Sequence, residues 1–165
     1  MPLSWNEIKD RALAFSREWA KDSSEDAEAK SFWDGFFNVF GVSRRRLASF
    51  EEPVKKADGK GGFIDLLWRG VMLVEHKSRG RDLDRAYRQA VDYFPGLKER
   101  DLPRYVLVSD FARFRLHDLD RAVDAAYGRK SFVSVAERVA FLFERYQALT
   151  SVLPEAKTKK RMRHV

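Results

Sequence analysis

The chain contains no cysteine, and this absence excludes several chemistries at once. Without a thiol there are no disulfides, no thiolate-ligated metal sites and no cysteine nucleophile. Apolar runs also stay well below the roughly 18 residues of a membrane span. The first residues lack the basic-then-apolar layout of a signal peptide. The sequence therefore predicts a cytoplasmic protein that does not act in a membrane.

What the chain does contain is enough apolar material for one folded domain. Its 165 residues are 44% hydrophobic and 13% aromatic, which is typical of a folding sequence rather than a disordered one. The net charge of +7 favours a nucleic-acid partner. Five of the positive charges, however, fall within residues 157–165. A solvated basic end therefore explains much of the excess as well as a nucleic-acid partner does.

Periodicity and turn residues predict a mixture of helices and strands. Ser4 with Glu7 fits a capping box that opens a first helix, and Ser134 with Glu137 fits another that opens the last. The expected helices are 5–20, 25–40 (starting at Ser23 or Ser24 and ending at Gly41), 81–94 and 135–150. A short strand is expected after residue 48, and others at 63–68, 71–77, 104–110 and 114–119. This order predicts an α/β (α+β) fold with a central mixed sheet of about five strands flanked by helices.

Three charged residues lie within the most apolar segment, GFIDLLWRGVMLVEHKSRG at 62–80. Asp65 falls in one predicted strand, whereas Glu75 and Lys77 fall in the next. A carboxylate removed from water without a partner costs several kcal/mol, so these charges must neutralise one another or share a metal ion. A structural ion pair of Lys77 with Glu75 or Asp65 is one interpretation, and a metal site is the other.

The spacing of these charges predicts the geometry of the hairpin. Glu75 and Lys77 are two positions apart, so they share one face of a strand. A two-residue turn would pair Asp65 with Val74 and would put Glu75 on the opposite face. A three-residue loop would instead set Asp65 opposite Glu75 and gather all three charges on one face. We therefore predict the odd register, produced by such a loop or by a bulge, with Gly70 supplying a positive φ.

Two carboxylates and an amine on one face suit the hydrolysis of a phosphodiester. Hard carboxylates bind Mg²⁺, which keeps several waters and also accepts phosphate oxygens. The metal makes a bound water more acidic and offsets the charge that grows on phosphorus. The ammonium of Lys77 can orient that water or stabilise the developing oxyanion. The His76 side chain would point the other way and is given no catalytic role.

Asp65 followed by Glu75-His76-Lys77 resembles the D…ExK motif of the PD-(D/E)xK nuclease superfamily. The match includes its context, because the acidic residue and the E-x-K fall on consecutive strands of a predicted hairpin. The resemblance implies a PD-(D/E)xK restriction-endonuclease-like fold. It also implies that Asp65 and Glu75 bind the metal, that the backbone carbonyl of His76 is a further ligand, and that Lys77 acts on the attacking water.

The resemblance extends to residues around the motif. Gln89 and Tyr93, one turn apart on the next predicted helix, are similar to the Q-x-x-x-Y motif of RecB-like members. Four residues are accordingly expected to support the site or to contact the DNA backbone: Gln89, Tyr93, Ser78 and Arg79. In the superfamily an acidic residue on an early helix often completes the metal site. Glu28 is the candidate here, and Glu25 is the alternative.

A closer resemblance covers most of residues 1–150. EAKSFWDGFFNVFGV, GFIDLLWRGVMLVEHKSRG, LDRAYRQAVDYF and LPRYVLVSDFARFRL resemble the N-terminal nuclease domain of type IIL, MmeI-like restriction–modification enzymes of the bacterial cytoplasm. In that family one polypeptide joins the nuclease to an adenine methyltransferase and a target-recognition domain. The resemblance implies a nuclease domain over 1–150, followed at 151–165 by a basic tail or the start of a linker.

The implied activity is cleavage of double-stranded DNA with Mg²⁺, for which Mn²⁺ can substitute. Cutting both strands needs two active sites, so homodimerisation on DNA is expected. No methyltransferase motif follows residue 150, so S-adenosylmethionine and sequence recognition would belong to linked domains outside this chain. The alternatives are a catalytically inactive nuclease-fold module that binds DNA or another partner, with the three charges as a leftover ion network, and a phosphodiesterase acting on RNA or single strands.

Overall fold

The computed structural model describes residues 3–21, 25–56, 58–129 and 131–152. Its helices are α1 (Trp5–Glu18), α2 (Glu25–Val39), α3 (Leu83–Val91), α4 (Leu119–Ala126) and α5 (Val135–Val152). Its strands are β1 (Ser49–Lys55), β2 (Gly61–Trp68), β3 (Met72–His76), β4 (Tyr105–Ser109) and β5 (Phe114–Asp118). Ser23, Ser24 and the basic segment 157–165, all named by the sequence predictions, lie outside the described residues.

The five strands form a single mixed sheet in the order β1-β2-β3-β4-β5. Neighbouring strands are antiparallel except β3 and β4, which are parallel. A parallel pair needs a crossover connection, and α3 lies in the chain between these two strands. The architecture confirms the predicted mixed sheet flanked by helices and is consistent with a PD-(D/E)xK-like fold.

The local signals for helix ends were mostly correct. At α1 the Ser4 side chain accepts from the Glu7 N–H while the Glu7 carboxylate accepts from the Ser4 N–H, so the predicted capping box is complete. Gly41 has φ 70°, as a helix-ending glycine requires. At α5 only half of the predicted box forms, because Glu137 accepts from the Val133 N–H instead of the Ser134 N–H.

Each face of the sheet carries its own apolar cluster. On the α3 side, Leu73, Val106 and Val108 pack with the helix residues Ala86 and Ala90. On the other side, aromatic side chains of α2 and of Trp19, directly after α1, pack on the sheet: Trp19, Phe32, Trp33 and Phe37 join Leu66, Val74, Leu107 and Phe111. The central strands β3 and β4 are therefore buried from both sides, which explains their nearly continuous apolar sequences.

Two elements differ from their predictions. The third helix, expected over 81–94, begins at Leu83 because Asp82 caps it, accepting from the N–H groups of Asp84 and Arg85. It ends at Val91, before a 3₁₀ turn at Phe94–Gly96. The helix α4 was not predicted at all.

By compactness the chain divides into two units, one up to Leu119 and one from Asp120. In the second unit Arg138 of α5 pairs with Asp120 and Asp124 of α4, at 3.2 and 2.7 Å. The predicted domain over 1–150 covers parts of both units and stays a prediction. Within the described ranges, no helix has both the length and the apolar character needed to cross a membrane.

Candidate active site

The hairpin of β2 and β3 has the predicted register. Leu66 pairs with Val74 and Trp68 pairs with Met72, which leaves a three-residue loop at 69–71. Gly70 within this loop has φ 72°, the left-handed conformation that glycine adopts without steric cost. Continuing the same register by one position sets Asp65 opposite Glu75. A two-residue turn is therefore excluded.

The three charges meet at this point of the hairpin. The Asp65 carboxylate accepts a hydrogen bond from the backbone N–H of His76 at 2.6 Å, so it lies at the peptide bond that joins Glu75 to His76. The Lys77 ammonium lies 2.7 Å from Oε1 of Glu75. The side chain of Glu75 is 0% exposed and that of Lys77 is 21% exposed. Glu75 is thus the buried member of the group, whereas Lys77 and the half-buried Asp65 reach toward solvent.

Strand β2 changes its packing face at Asp65. Ile64 and Leu67 are three positions apart, yet both belong to the cluster on the α3 side. The pairing of β2 with β3 stops at Leu66, and the position of β1 opposite Asp65 is Glu51, which has φ 52°. A non-glycine residue in that region is strained. The irregularity frees the Asp65 side chain to turn toward the end of β3.

Gln89 and Tyr93 lie beside the charged group, on the α3 side of the sheet. The Gln89 side-chain amide donates to the Tyr93 hydroxyl at 2.8 Å, which agrees with the predicted one-turn spacing. Burial raises the pKa of Tyr93, and the negative charges of Glu75 and Asp65 raise it further, against lowering by the Gln89 hydrogen bond and by Lys77. The Tyr93 hydroxyl therefore interacts electrostatically with all three charged residues of the hairpin.

The chain also matches a known family. The family described as MmeI, N-terminal domain matches residues 10–157. The chain belongs to the MmeI N-terminal domain family. No curated protein and no solved structure matched it. Membership confirms the resemblance to MmeI-like proteins and agrees with the predicted restriction–modification context.

In this MmeI N-terminal domain, two further predicted site residues, Ser78 and Arg79, follow Lys77 directly in the chain. The Arg79 guanidinium donates to the carbonyls of Trp19 and Ala20, both at 3.1 Å, and so holds the end of α1. Ser78 is half-buried directly after Lys77. Roles of Ser78 and Arg79 at DNA stay predictions.

The proposed third acidic ligand also stays a prediction. Glu28 lies half-buried in the first turns of α2, whereas the side chain of its alternative, Glu25, lies outside the described residues. Over the described ranges, no three His, Asp or Glu side chains are grouped so as to hold a metal ion. Among the described residues, the carbonyl of His76 is therefore the candidate for a further ligand beside Asp65 and Glu75.

The donor atoms present fit a hard divalent cation. Carboxylate oxygens and backbone carbonyls are the ligands that Mg²⁺ and Mn²⁺ prefer, and Mg²⁺ is commonly held by only one or two carboxylates with water completing its shell. The N–H of His76 points to Asp65. Because the N–H and C=O of a strand residue face the same neighbour, a regular strand end would direct the His76 carbonyl toward Asp65 as well.

Asp110, which was not predicted as a functional residue, organises the loop after Lys77. Its side chain is fully buried and accepts from the Gly80 N–H at 2.9 Å and from the Arg113 guanidinium at 2.5 Å. Burial would raise the pKa of Asp110, but the hydrogen bonds from Arg113 and Gly80 hold it below its usual range. Asp110 is therefore a charged anchor for the loop. Its position directly after β4, parallel to β3, was the available signal.

The side chain of His76 lies on the opposite face from Glu75, as predicted. It is 0% exposed and packed among aromatic rings, with the Phe111 ring at 4.4 Å and the Phe32 ring at 5.1 Å. Burial, followed by the nearby charge of Lys77, lowers the pKa of His76 to about 4, against a smaller raising by Asp110. The imidazole is therefore neutral at neutral pH.

This burial predicts acid sensitivity of the fold. Between about pH 6.5 and about pH 4, His76 is protonated in the unfolded chain but stays neutral in the folded chain. The contribution of neutral His76 to stability is therefore complete above about pH 6.5 and is lost as the pH falls toward about 4. Between about pH 7 and pH 5 the loss should be about 2 kcal/mol in the free energy of unfolding.

Denaturant unfolding of the wild type and of His76→Leu at several pH values tests this prediction. The variant should show a flatter pH profile. The matched variant His117→Leu removes a less buried histidine stacked on Tyr87; because burial also lowers the pKa of His117, it should flatten the profile in the same direction but less. Parallel profiles for wild type and His76→Leu would contradict it.

Proposed function

We propose that this domain hydrolyses DNA phosphodiester bonds with Mg²⁺ as the nuclease part of a restriction–modification enzyme. The observation that carries the proposal is the convergence of Asp65, Glu75 and Lys77 at one point of a hairpin, in a chain of the MmeI N-terminal domain family. Mn²⁺ is expected to substitute for Mg²⁺, because both accept carboxylate and water oxygens.

Each residue of the group has a distinct role in this proposal. Asp65 and Glu75 would hold the cation together with the His76 carbonyl. The cation supplies a more acidic water and offsets negative charge on the phosphate. The Lys77 ammonium would orient the attacking water, whose oxygen forms the new bond to phosphorus. The bond from phosphorus to the 3′ oxygen would break, the attacking water would lose a proton to solvent and the leaving oxygen would take one from solvent, which leaves 5′-phosphate and 3′-hydroxyl ends.

Gln89 and Tyr93 would serve as positioning residues. The hydrogen bond from Gln89 to the Tyr93 hydroxyl would fix the phenol in the site. Tyr93 is only 2% exposed, which supports a role in shaping the site rather than in binding an extended ligand. The substrate would be double-stranded DNA, with two copies of the domain needed to cut both strands. Methyl transfer from S-adenosylmethionine and sequence recognition would lie in linked domains, and the bacterial cytoplasm would be the location.

A catalytically inactive module is the second candidate, and one observation favours it. Glu75 is fully buried and already paired with Lys77, as expected for a purely structural ion pair in a sheet. In that case the domain would bind DNA or another partner without cutting it. The two candidates differ in whether the pair admits a divalent cation.

Calorimetric titration of the protein with Mn²⁺ tests the proposal directly. The wild type should bind the ion, and Asp65→Ala should show no measurable heat because one of two carboxylate ligands is gone. The matched control is Asp58→Ala, which removes an aspartate on the turn between β1 and β2 whose side chain is 53% exposed and pairs with Lys60. Equal binding by all three proteins, or binding by none, would favour the inactive module.

A further inference from the structure

Lys56 follows β1 directly and places its charge against an aromatic ring. Its ammonium lies 5.2 Å from the centre of the Tyr93 ring. Within the described part of the chain it forms no ion pair, whereas Lys30, Lys60 and Lys77 each pair with a carboxylate. The side chain is half-buried. Its charge therefore lies against an aromatic face, and Asp58 is near enough to interact with it without forming an ion pair.

The surrounding backbone leaves space for this placement. The Lys56 N–H donates to the Lys60 carbonyl at 2.8 Å, which closes the turn between β1 and β2. Across that hairpin, a Cβ atom at Gly62 would lie 2.8 Å from Cε of Lys56 and 3.0 Å from Cε1 of Tyr93. Any larger residue at position 62 would push the two side chains apart. Glycine there is thus what allows the lysine to lie against the tyrosine.

This arrangement places a positive charge at the edge of the carboxylate site. Tyr93 packs in the same apolar cluster as Ile64, which directly precedes Asp65, and Lys56 lies against the same ring. Duplex DNA carries one phosphate charge per roughly 1.7 Å of its axis. A duplex seated with one phosphate at the carboxylates therefore brings neighbouring phosphates past the flanking side chains.

We propose that Lys56 binds a DNA backbone phosphate next to the one that is cut. The inference rests on the proposed nuclease function and adds a substrate contact to it. A lysine makes a phosphate contact as a point charge, and contacts of this kind set the register of a protein on DNA without reading its sequence. Among the described residues, the ammonium has no ion pair to lose when it takes a phosphate.

The test is the salt dependence of binding to a short duplex DNA in the presence of Ca²⁺. Losing one phosphate contact should reduce the slope of log affinity against log salt by about 0.9, so Lys56→Gln should show this reduction. Lys60→Gln is the matched control, because Lys60 lies on the same hairpin, is 81% exposed and pairs with Asp58. It should leave the slope within error of the wild type.

Gly62→Ala tests whether the position of the Lys56 ammonium matters when its charge is kept. It keeps the lysine, but the added Cβ would force the ammonium away from Tyr93, so its slope should also fall while its net charge stays that of the wild type. An unchanged slope in Lys56→Gln, or equal reductions in Lys56→Gln and Lys60→Gln, would overturn the proposal.

Metal binding separates this failure from failure of the nuclease function. If Lys56→Gln keeps the wild-type slope while Mn²⁺ binding still depends on Asp65, the nuclease proposal stands and the phosphate contact is wrong. If the wild type binds neither Mn²⁺ nor duplex DNA, both are overturned.

Discussion

Replacing Lys77 with methionine is expected to lower DNA cleavage by about 10²- to 10⁴-fold, the range for loss of a positioned acid–base group or charge stabiliser. The same change should tighten Mn²⁺ binding. In the wild type the ammonium lies 2.7 Å from Glu75, so a cation at that carboxylate must share it with a positive charge. A catalytic role for Lys77 therefore predicts opposite movements of cleavage and metal affinity.

Stability without metal provides a third measurement on this variant. Removing one partner of a buried ion pair typically costs about 3–5 kcal/mol because the remaining charge is left uncompensated, and Glu75 is fully buried. The free energy of unfolding of Lys77→Met should fall accordingly in chelator. Saturating Mn²⁺ should restore much of it, since a ligand that binds only the folded state stabilises that state.

Lys60→Met is the matched control for these measurements. Both ion-pair partners there are largely exposed, and exposed pairs contribute little, so cleavage, metal affinity and stability should all stay near wild type. Wild-type cleavage by Lys77→Met would contradict the assigned role of the lysine. A loss of stability that Mn²⁺ does not reverse would indicate a structural pair instead of a metal site.

The hairpin geometry could be predicted from the sequence because charge burial allows few solutions. Only one register brings Asp65 to Glu75, and the structure has it. The cap of α1 was predictable for a similar reason, since Ser4 and Glu7 satisfy backbone groups within a few residues of themselves. Interactions between residues this close in the chain can be predicted from the local sequence alone.

Features that depend on distant partners were not predictable. Arg79 follows the motif in sequence, but its guanidinium holds α1, about sixty positions away. Asp110 acts on the loop after Lys77 through the parallel pairing of β3 with β4. The change of packing face in β2 at Asp65 lies opposite the strained backbone of Glu51 on the neighbouring strand. A single sequence does not show which distant segments meet.

Phe32→Ala is expected to destabilise the fold by about 3–5 kcal/mol, as large aromatic truncations in cores do. Phe32 is 0% exposed. Its ring lies within 5.8 Å, centre to centre, of six other rings from α1, α2 and the strands and their connections: Phe15, Trp19, Trp33, His76, Phe111 and Phe114. Because these neighbours come from different segments, they cannot close together around the space left by the ring.

Phe40→Ala provides the matched comparison, because Phe40 is 47% exposed and continues the same aromatic row after α2. Its loss should cost no more than about 1 kcal/mol. Guanidinium unfolding of both variants, with the slope compared as well as the midpoint, measures the difference. Equal costs would show that the aromatic row is not packed as described. A large cost confined to Phe32→Ala would show that the cluster supports β3 from the face opposite Glu75 and Lys77, where the site depends on a rigid strand.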